Sequence, residues 1–226
     1  MSYESSNKEC TSTPQSLRRR SPLTFEAAGN RTFKVVLIGD GAVGKTSLRR
    51  VYLGEGFITS HMPTIGVDFA QTRFDLDGVN IRLIIWDLAG QPTFEKVRRH
   101  YYVGSSGIIL VYSVVDRESF DNASKWLVEA YKYMGKLPPT AVLANKTDLR
   151  QDNPFEKNVT NDEGHKFAQF FSEKLTVPVV FEETSAVTGQ NIREAFTKLT
   201  RLMIEMDDRM RLVQEPKLPL KNESKA

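Results

Sequence analysis

Eight residues constrain this chain more than any others: Gly39-Asp40-Gly41-Ala42-Val43-Gly44-Lys45-Thr46, a G-x-x-x-x-G-K-T segment. Its glycines let the backbone curl so that successive N–H groups point inward around an anion. Lys45 then stands to reach the outer phosphates, and the Thr46 hydroxyl to bind Mg²⁺. The cradle read from the sequence runs Asp40, Gly41, Ala42, Val43, Gly44, Lys45, Thr46 and Ser47, and the helix that follows adds its positive N-terminal end. A glycine-rich turn that binds nothing needs no particular neighbours. This one is preceded by Phe33-Lys34-Val35-Val36-Leu37-Ile38, a nearly continuous apolar run expected of a strand buried on both faces. A helical pattern from about Lys45 to Leu53 follows it. Strand, turn and helix in that order is the context that confirms a phosphate loop.

The rest of the chain extends that unit into an α/β fold. Val67 to Leu76 and Val79 to Trp86 read as two strands joined by Asp77-Gly78, a strong hairpin signal. Gly107 to Tyr112 reads as another buried strand, and a helix is expected from about Glu118 to Tyr133, with Pro138-Pro139 forcing the chain out of it. Thr140 to Ala144 is the next strand. Thr160 with Glu163 makes a capping box for a helix to about Lys174. Val179 to Phe181 is the last strand, and a helix from Asn191 to about Met206 carries Ile192, Phe196, Leu199 and Met203 at core spacing. The sum is a mostly parallel six-stranded sheet with one antiparallel hairpin edge and helices on both faces.

At 226 residues the chain holds one such domain with tails. The boundaries expected are a disordered arm at 1–31, the domain at 32–207 and a flexible tail at 208–226. The arm lacks apolar periodicity, and its Arg18-Arg19-Arg20 is read as solvated, with weak attraction to anionic lipid as the alternative. A net charge of +3 is too small to argue for nucleic acid. The single cysteine, Cys10, excludes an internal disulfide framework. No secretory leader and no apolar run near the roughly 20 residues of a membrane span are visible, so a reducing cytoplasm is expected. His61, His100 and His165 lack the spacing of a metal site, and no nucleophile elbow is present.

A phosphate loop alone does not choose a base. Asn145-Lys146-Thr147-Asp148 does, because it directly follows a buried strand and so stands at the carboxyl end of the sheet, where ligands bind. A carboxylate there accepts two hydrogen bonds from the N1–H and exocyclic amine of guanine. Adenine offers no such donor pair on that edge, and leaving the carboxylate unpaired is expensive.

With these motifs in order, the chain resembles the Ras-superfamily small GTPases, and within them the Rab branch, from about Phe33 to Met206. The resemblance implies a P-loop GTPase domain that binds GTP and GDP with Mg²⁺, hydrolyses GTP, and recruits effectors in the GTP state. Asp87-Leu88-Ala89-Gly90-Gln91 matches the family's D-x-x-G-Q. It implies that Asp87 holds Mg²⁺ through water, Gly90 meets the γ-phosphate, and Gln91 orients the attacking water. Thr64, in Pro63-Thr64-Ile65-Gly66-Val67-Asp68-Phe69, matches the threonine that joins the Mg²⁺ shell with Thr46 only when GTP is bound. This stretch and Tyr101-Tyr102 carry the Rab-like character. Phe57 falls where the family sets an aromatic against guanine, with plain core packing as the alternative. Glu183-Thr184-Ser185-Ala186 matches the last base-contacting loop, so Ser185, Ala186 and Val187 join Asn145, Lys146 and Asp148 around the base. The implied catalytic set is Gln91, Lys45, Thr64 and Gly90. Effectors are expected on residues 58–69 and 88–102, with an exchange factor and a GTPase-activating partner, since no arginine matches a built-in finger position.

Four departures qualify the likeness. Pro92 replaces the usual Glu and biases Gln91 toward extended geometry, either pre-organising it or turning it away. A nucleotide-binding interaction protein that scarcely hydrolyses is the alternative that Pro92 motivates. Val187 replaces a lysine that lids the base. Leu149 to Val159, with Asn153-Pro154, reads as an enlarged loop. No cysteine stands near the C-terminus and Met1-Ser2 opens the chain, so neither prenylation nor N-myristoylation is expected. Membrane contact is then weak and peripheral at most.

Overall fold

Strand β1 (Arg31–Ile38) is the axis of the sheet in this computed structural model, which describes residues 30–59, 63–152 and 158–214. The arm with Cys10 and Arg18 to Arg20, His61, Asn153-Pro154 and residues 215–226 lie outside the described residues. Because side chains alternate across a strand, Val35 and Leu37 enter one core while Val36 and Ile38 enter the other. Both cores must therefore be covered by helices. Helix α1 (Lys45–Tyr52) and α6 (Ile192–Gln214) cover the first through Leu48, Phe196, Leu199 and Met203. On the second face lie α2 (Glu95–Tyr102), α4 (Ala123–Met134) and α5 (Asn161–Leu175), which contribute Tyr102, Trp126, Leu127 and Ala168. A fully buried side chain of the Leu or Phe class contributes about 1.5–3 kcal/mol. Phe196 adds a stacked contact with Tyr52, ring centroids 3.8 Å apart.

The strand order is β2-β3-β1-β4-β5-β6, with β2 (Val67–Leu76), β3 (Val79–Leu88), β4 (Gly107–Ser113), β5 (Thr140–Asn145) and β6 (Val179–Glu183). Only β2 runs antiparallel, to β3. Asp77 and Gly78 both have positive φ, 54° and 82°, as a tight two-residue hairpin turn requires. All five parallel strands end on one side, and every loop of the nucleotide motifs leaves from there.

Three expectations need correction. The helix expected over Glu118 to Tyr133 is two, α3 (Arg117–Asp121) and α4, broken at Asn122. Its end is set by Gly135 at φ 73°, whose N–H donates to the Tyr131 carbonyl, rather than by the prolines that follow. Finally, α6 continues to Gln214, eight residues past Met206, so 208–214 is helix rather than flexible tail. The apolar spacing stops there, but Arg31 clamps the extension through Asp207 at 3.1 Å and Asp208 at 2.6 Å. An Arg211–Asp207 pair one turn apart adds to it. No helix among the described residues is long and apolar enough to cross a membrane.

Candidate functional site

The turn between β1 and α1 is built for close approach. Gly44 has φ 102°, and a Cβ there would strike the Asn145 side-chain amide; at Gly90 a Cβ would strike the backbone of Asp40 and Gly41. Ala42 is held at φ 60°, a strained position for a residue with a Cβ and one that turns the backbone amides inward. Lys45 is buried, and its ammonium donates to the carbonyls of Gly39 at 2.8 Å and Asp40 at 2.7 Å. Burial pulls its pKa down to about 8, against the opposing pull of Asp87 and Asp40.

Beside it three oxygens converge. The Thr46 hydroxyl donates to Asp87 Oδ2 at 2.5 Å and lies 2.8 Å from the Thr64 hydroxyl. Asp87 is fully buried at the end of β3, and desolvation raises its pKa while the Thr46 hydrogen bond and Lys45 oppose the rise. Its Oδ1 has no hydrogen-bond partner. Two hydroxyls and a carboxylate oxygen are hard donors of the kind Mg²⁺ takes, alongside phosphate oxygens. No group of three or more His, Cys, Asp or Glu suited to a metal occurs among the described residues.

The far end of the cleft comes from β5 and β6. Asn145 Nδ2 donates to the Val43 carbonyl at 2.8 Å and its Oδ1 accepts from Thr184, so it ties the phosphate loop to the 184–186 loop. Lys146 takes the left-handed conformation at φ 69°, turning the chain so that Asp148 faces back. Ser185 donates to Asp148 Oδ1 at 2.5 Å. This leaves the other carboxylate oxygen for a ligand.

One cleft of about 710 Å³ gathers Gly41, Ala42, Gly44, Lys45, Thr46, Ser47, Phe57, Thr64, Gly90, Gln91, Asn145, Lys146, Asp148, Ala186 and Val187. Asp40, Val43, Asp87 and Ser185 stand outside its lining. The Asp40 carboxylate points away, accepting from Trp126 at 2.6 Å and Asn122 at 2.8 Å, so only its main chain belongs to the cradle. Val43 is core, and Asp87 and Ser185 support from behind. Phe57 is 40% exposed and lines the cleft, which removes the plain core alternative. Sequence reasoning missed Arg50, Ile58, Thr59, Pro63 and Leu149 in the lining. Arg50 follows Thr46 by one helical turn, and Leu149 follows Asp148; both were findable from spacing.

Next to the cleft, β2, β3 and α2 present an apolar surface. Phe69 and Trp86 pack with centroids 5.3 Å apart, Trp86 and Tyr101 4.8 Å. Ile65 and Phe69 are 85% and 61% exposed. Asp68 is tied to Arg49 of α1 at 2.7 Å.

A phosphate loop, a hydroxyl–carboxylate cluster and a base-facing loop in one cleft define a P-loop nucleotide-binding protein. A model of the Ras family matches residues 34–205. Ras-related protein Rab-1D of Dictyostelium discoideum is 36% identical over 83% of this chain and 85% of its own. Ras-related protein Rab-15 of Mus musculus is 35% identical over 76% and 77%. GTP-binding protein ypt1 of Schizosaccharomyces pombe is 36% identical over 76% and 80%. The chain belongs to the Ras family, and its likeness is to the Rab branch. As such it is a small GTP-binding protein that hydrolyses GTP and acts as a switch. Members of the family generally use Mg²⁺ with GTP, and the donor set around Thr46 fits that ion.

Proposed function

We propose that Thr46 and Thr64 bind Mg²⁺ directly and Asp87 through water, and that Gln91 orients the water that attacks GTP. The observation that carries this is the meeting of the Thr46 and Thr64 hydroxyls at 2.8 Å, backed by an orphan carboxylate oxygen. The ion, when bound, would neutralise charge on the phosphate oxygens. Lys45 would exchange its two loop carbonyls for phosphate oxygens, and the Gly90 N–H would meet the γ-phosphate. Gln91 Oε1 is a buried acceptor with no partner, which suits it to accept a hydrogen bond from the water. Asn145, Lys146, Asp148 and Ala186 would hold guanine, with Phe57 and Val187 flanking it.

Loss of the γ-phosphate would release Thr64 and Gly90 together, converting a bond cleavage into a change of surface. The exposed Ile65 and Phe69, with Trp86 and Tyr101 behind them, support effector binding there in the GTP state. A nucleotide-exchange factor and a GTPase-activating protein would drive the cycle. Likeness to Rab proteins supports a role in vesicle traffic and peripheral encounters with membranes.

Single-turnover hydrolysis of bound GTP is the test. Gln91→Leu is expected to be slower by about 10-fold or more, with nucleotide affinity nearly unchanged. A Leu variant as fast as the wild type removes Gln91 from the reaction.

A further inference from the structure

Arg98 is one of the largest side chains the fold buries, with 2% of its surface exposed. It lies in the middle of α2, and its donors are divided among three partners. Nη1 donates to the carbonyls of Ala89 at 3.1 Å and Gln91 at 2.7 Å. Nε and Nη2 donate in parallel to the two oxygens of Glu129 on α4, at 2.9 and 2.8 Å. The guanidinium lies over the Trp126 ring, 4.5 Å from its centroid. One turn further along α2, Tyr102 donates to the same Glu129 at 2.8 Å.

A buried guanidinium is tolerable only when its donors are met, and here a planar fork is required. It must satisfy a bidentate carboxylate and two carbonyls at once, which a lysine ammonium cannot do. Those carbonyls flank Gly90, the residue packed on the phosphate loop. Trp126 and Asn122 also grip Asp40 of that loop. The phosphate loop and the Gln91 loop therefore hang from Asn122 and the first two turns of α4.

The geometry points to Arg98 as a positioning residue for GTP hydrolysis: held by Glu129, it fixes the main chain on both sides of Gly90 and thereby sets the aim of the Gln91 amide. This rests on the proposed role of Gln91. Arg98 touches no reacting atom and acts only through residue 91.

The experiment compares single-turnover hydrolysis and GTP affinity in wild type, Arg98→Lys, Glu129→Gln, Gln91→Leu and the Arg98→Lys/Gln91→Leu double variant, all full length. A misplacement of about 1 Å at a reacting group costs on the order of 100-fold. Arg98→Lys is therefore expected to slow hydrolysis by about 10- to 100-fold while GTP affinity stays within about threefold. Glu129→Gln keeps the shape, weakens the grip and slows hydrolysis less. In the Gln91→Leu background Arg98→Lys is expected to have no further effect, because the two act as one unit. Equal slowing by Arg98→Lys in both backgrounds marks a merely structural arginine and overturns the inference. So does a folded Arg98→Lys within about twofold of wild type. Should Arg98→Lys fail to fold, Glu129→Gln carries the same comparison in both backgrounds. Undiminished hydrolysis by Gln91→Leu overturns the role of Gln91 and this inference with it; a slow Gln91→Leu beside a fast Arg98→Lys overturns this inference alone.

Discussion

Asp148 illustrates how one carboxylate can decide a ligand. One of its oxygens already accepts from Ser185 at 2.5 Å, which fixes the plane of the group. The other is left to accept from a base. Guanine supplies two donors on that edge and adenine none, so adenine would bury a carboxylate without a partner. The protein is expected to bind GDP at least about 10³-fold more tightly than ADP, on the order of 4 kcal/mol. Asp148→Asn is expected to shift preference toward xanthine nucleotides, whose carbonyl accepts from the new amide. Competition titrations against a fluorescent guanine nucleotide measure both; equal affinity for ADP in the wild type would sink the base assignment. The place of this loop in the cleft was legible in the sequence, because Asn145, Lys146 and Asp148 stand at the end of a buried strand and sequence-local motifs survive translation into space. Arg98 was not legible. In Glu95-Lys96-Val97-Arg98-Arg99-His100 it looks like one more solvated cation, and its burial depends on Glu129, thirty-one positions away. The Asp40 side chain was hidden for the same reason, since Trp126 and Asn122 reach it only through the fold.

Helix ends followed the same division between local and distant causes. The capping box of α5 is made on both sides, Glu163 N–H to the Thr160 hydroxyl and the Thr160 N–H to the Glu163 carboxylate. Both partners lie within four residues, so the sequence showed it. The extension of α6 to Gln214 depends on Arg31, from the other end of the chain, and the sequence did not show it. The break at Asn122 likewise accompanies its bond to Asp40. The cap yields a prediction with a definite sign. Arg117 beside Glu163, and then the Thr160 amide, pull the carboxyl pKa from 4.5 down to about 2. A depressed carboxylate pKa stabilises the fold above the unfolded value, and that contribution fades as pH falls from about 4.5 to about 2. Arg117 is 44% exposed, so solvent screens the ion pair and the backbone bond should matter more. Thr160→Ala is expected to cost about 1 kcal/mol at neutral pH. Glu163→Gln should flatten the dependence of stability on pH in that acid window. Urea midpoints for wild type and variant across it are the measurement, and parallel curves would show that the cap does not titrate as described.

The nucleotide cleft belongs to no single element. Its walls come from the ends of β1, β3, β5 and β6 and from the segment before β2, so the ligand would touch loops that the sheet spaces out along its edge. The protein holds several of those loops together by single ties: Asn145 to Val43, Thr46 to Asp87, and Thr46 to Thr64. A ligand bridging all of them binds the folded chain and has nothing comparable to bind in the unfolded one. Its free energy therefore appears as stability, about 2.7 kcal/mol at 100 times Kd. For a chain of this size that is a rise in unfolding midpoint of roughly 5–10 °C. GDP with Mg²⁺ is expected to give such a rise, whereas ADP at the same concentration should give almost none. The two nucleotide states should also differ in their need for the ion, because in the proposed cycle the γ-phosphate and Mg²⁺ keep Thr64 in the hydroxyl cluster and GDP does not. Chelating Mg²⁺ is then expected to lower the midpoint more for a GTP-loaded Gln91→Leu protein, which keeps its γ-phosphate, than for the GDP-loaded form. Thermal scans of both forms with and without chelator decide it. Equal losses on chelation would mean that Thr64 contributes nothing beyond what Thr46 and Asp87 already supply, and the switch would have to be sought in the Gly90 loop alone.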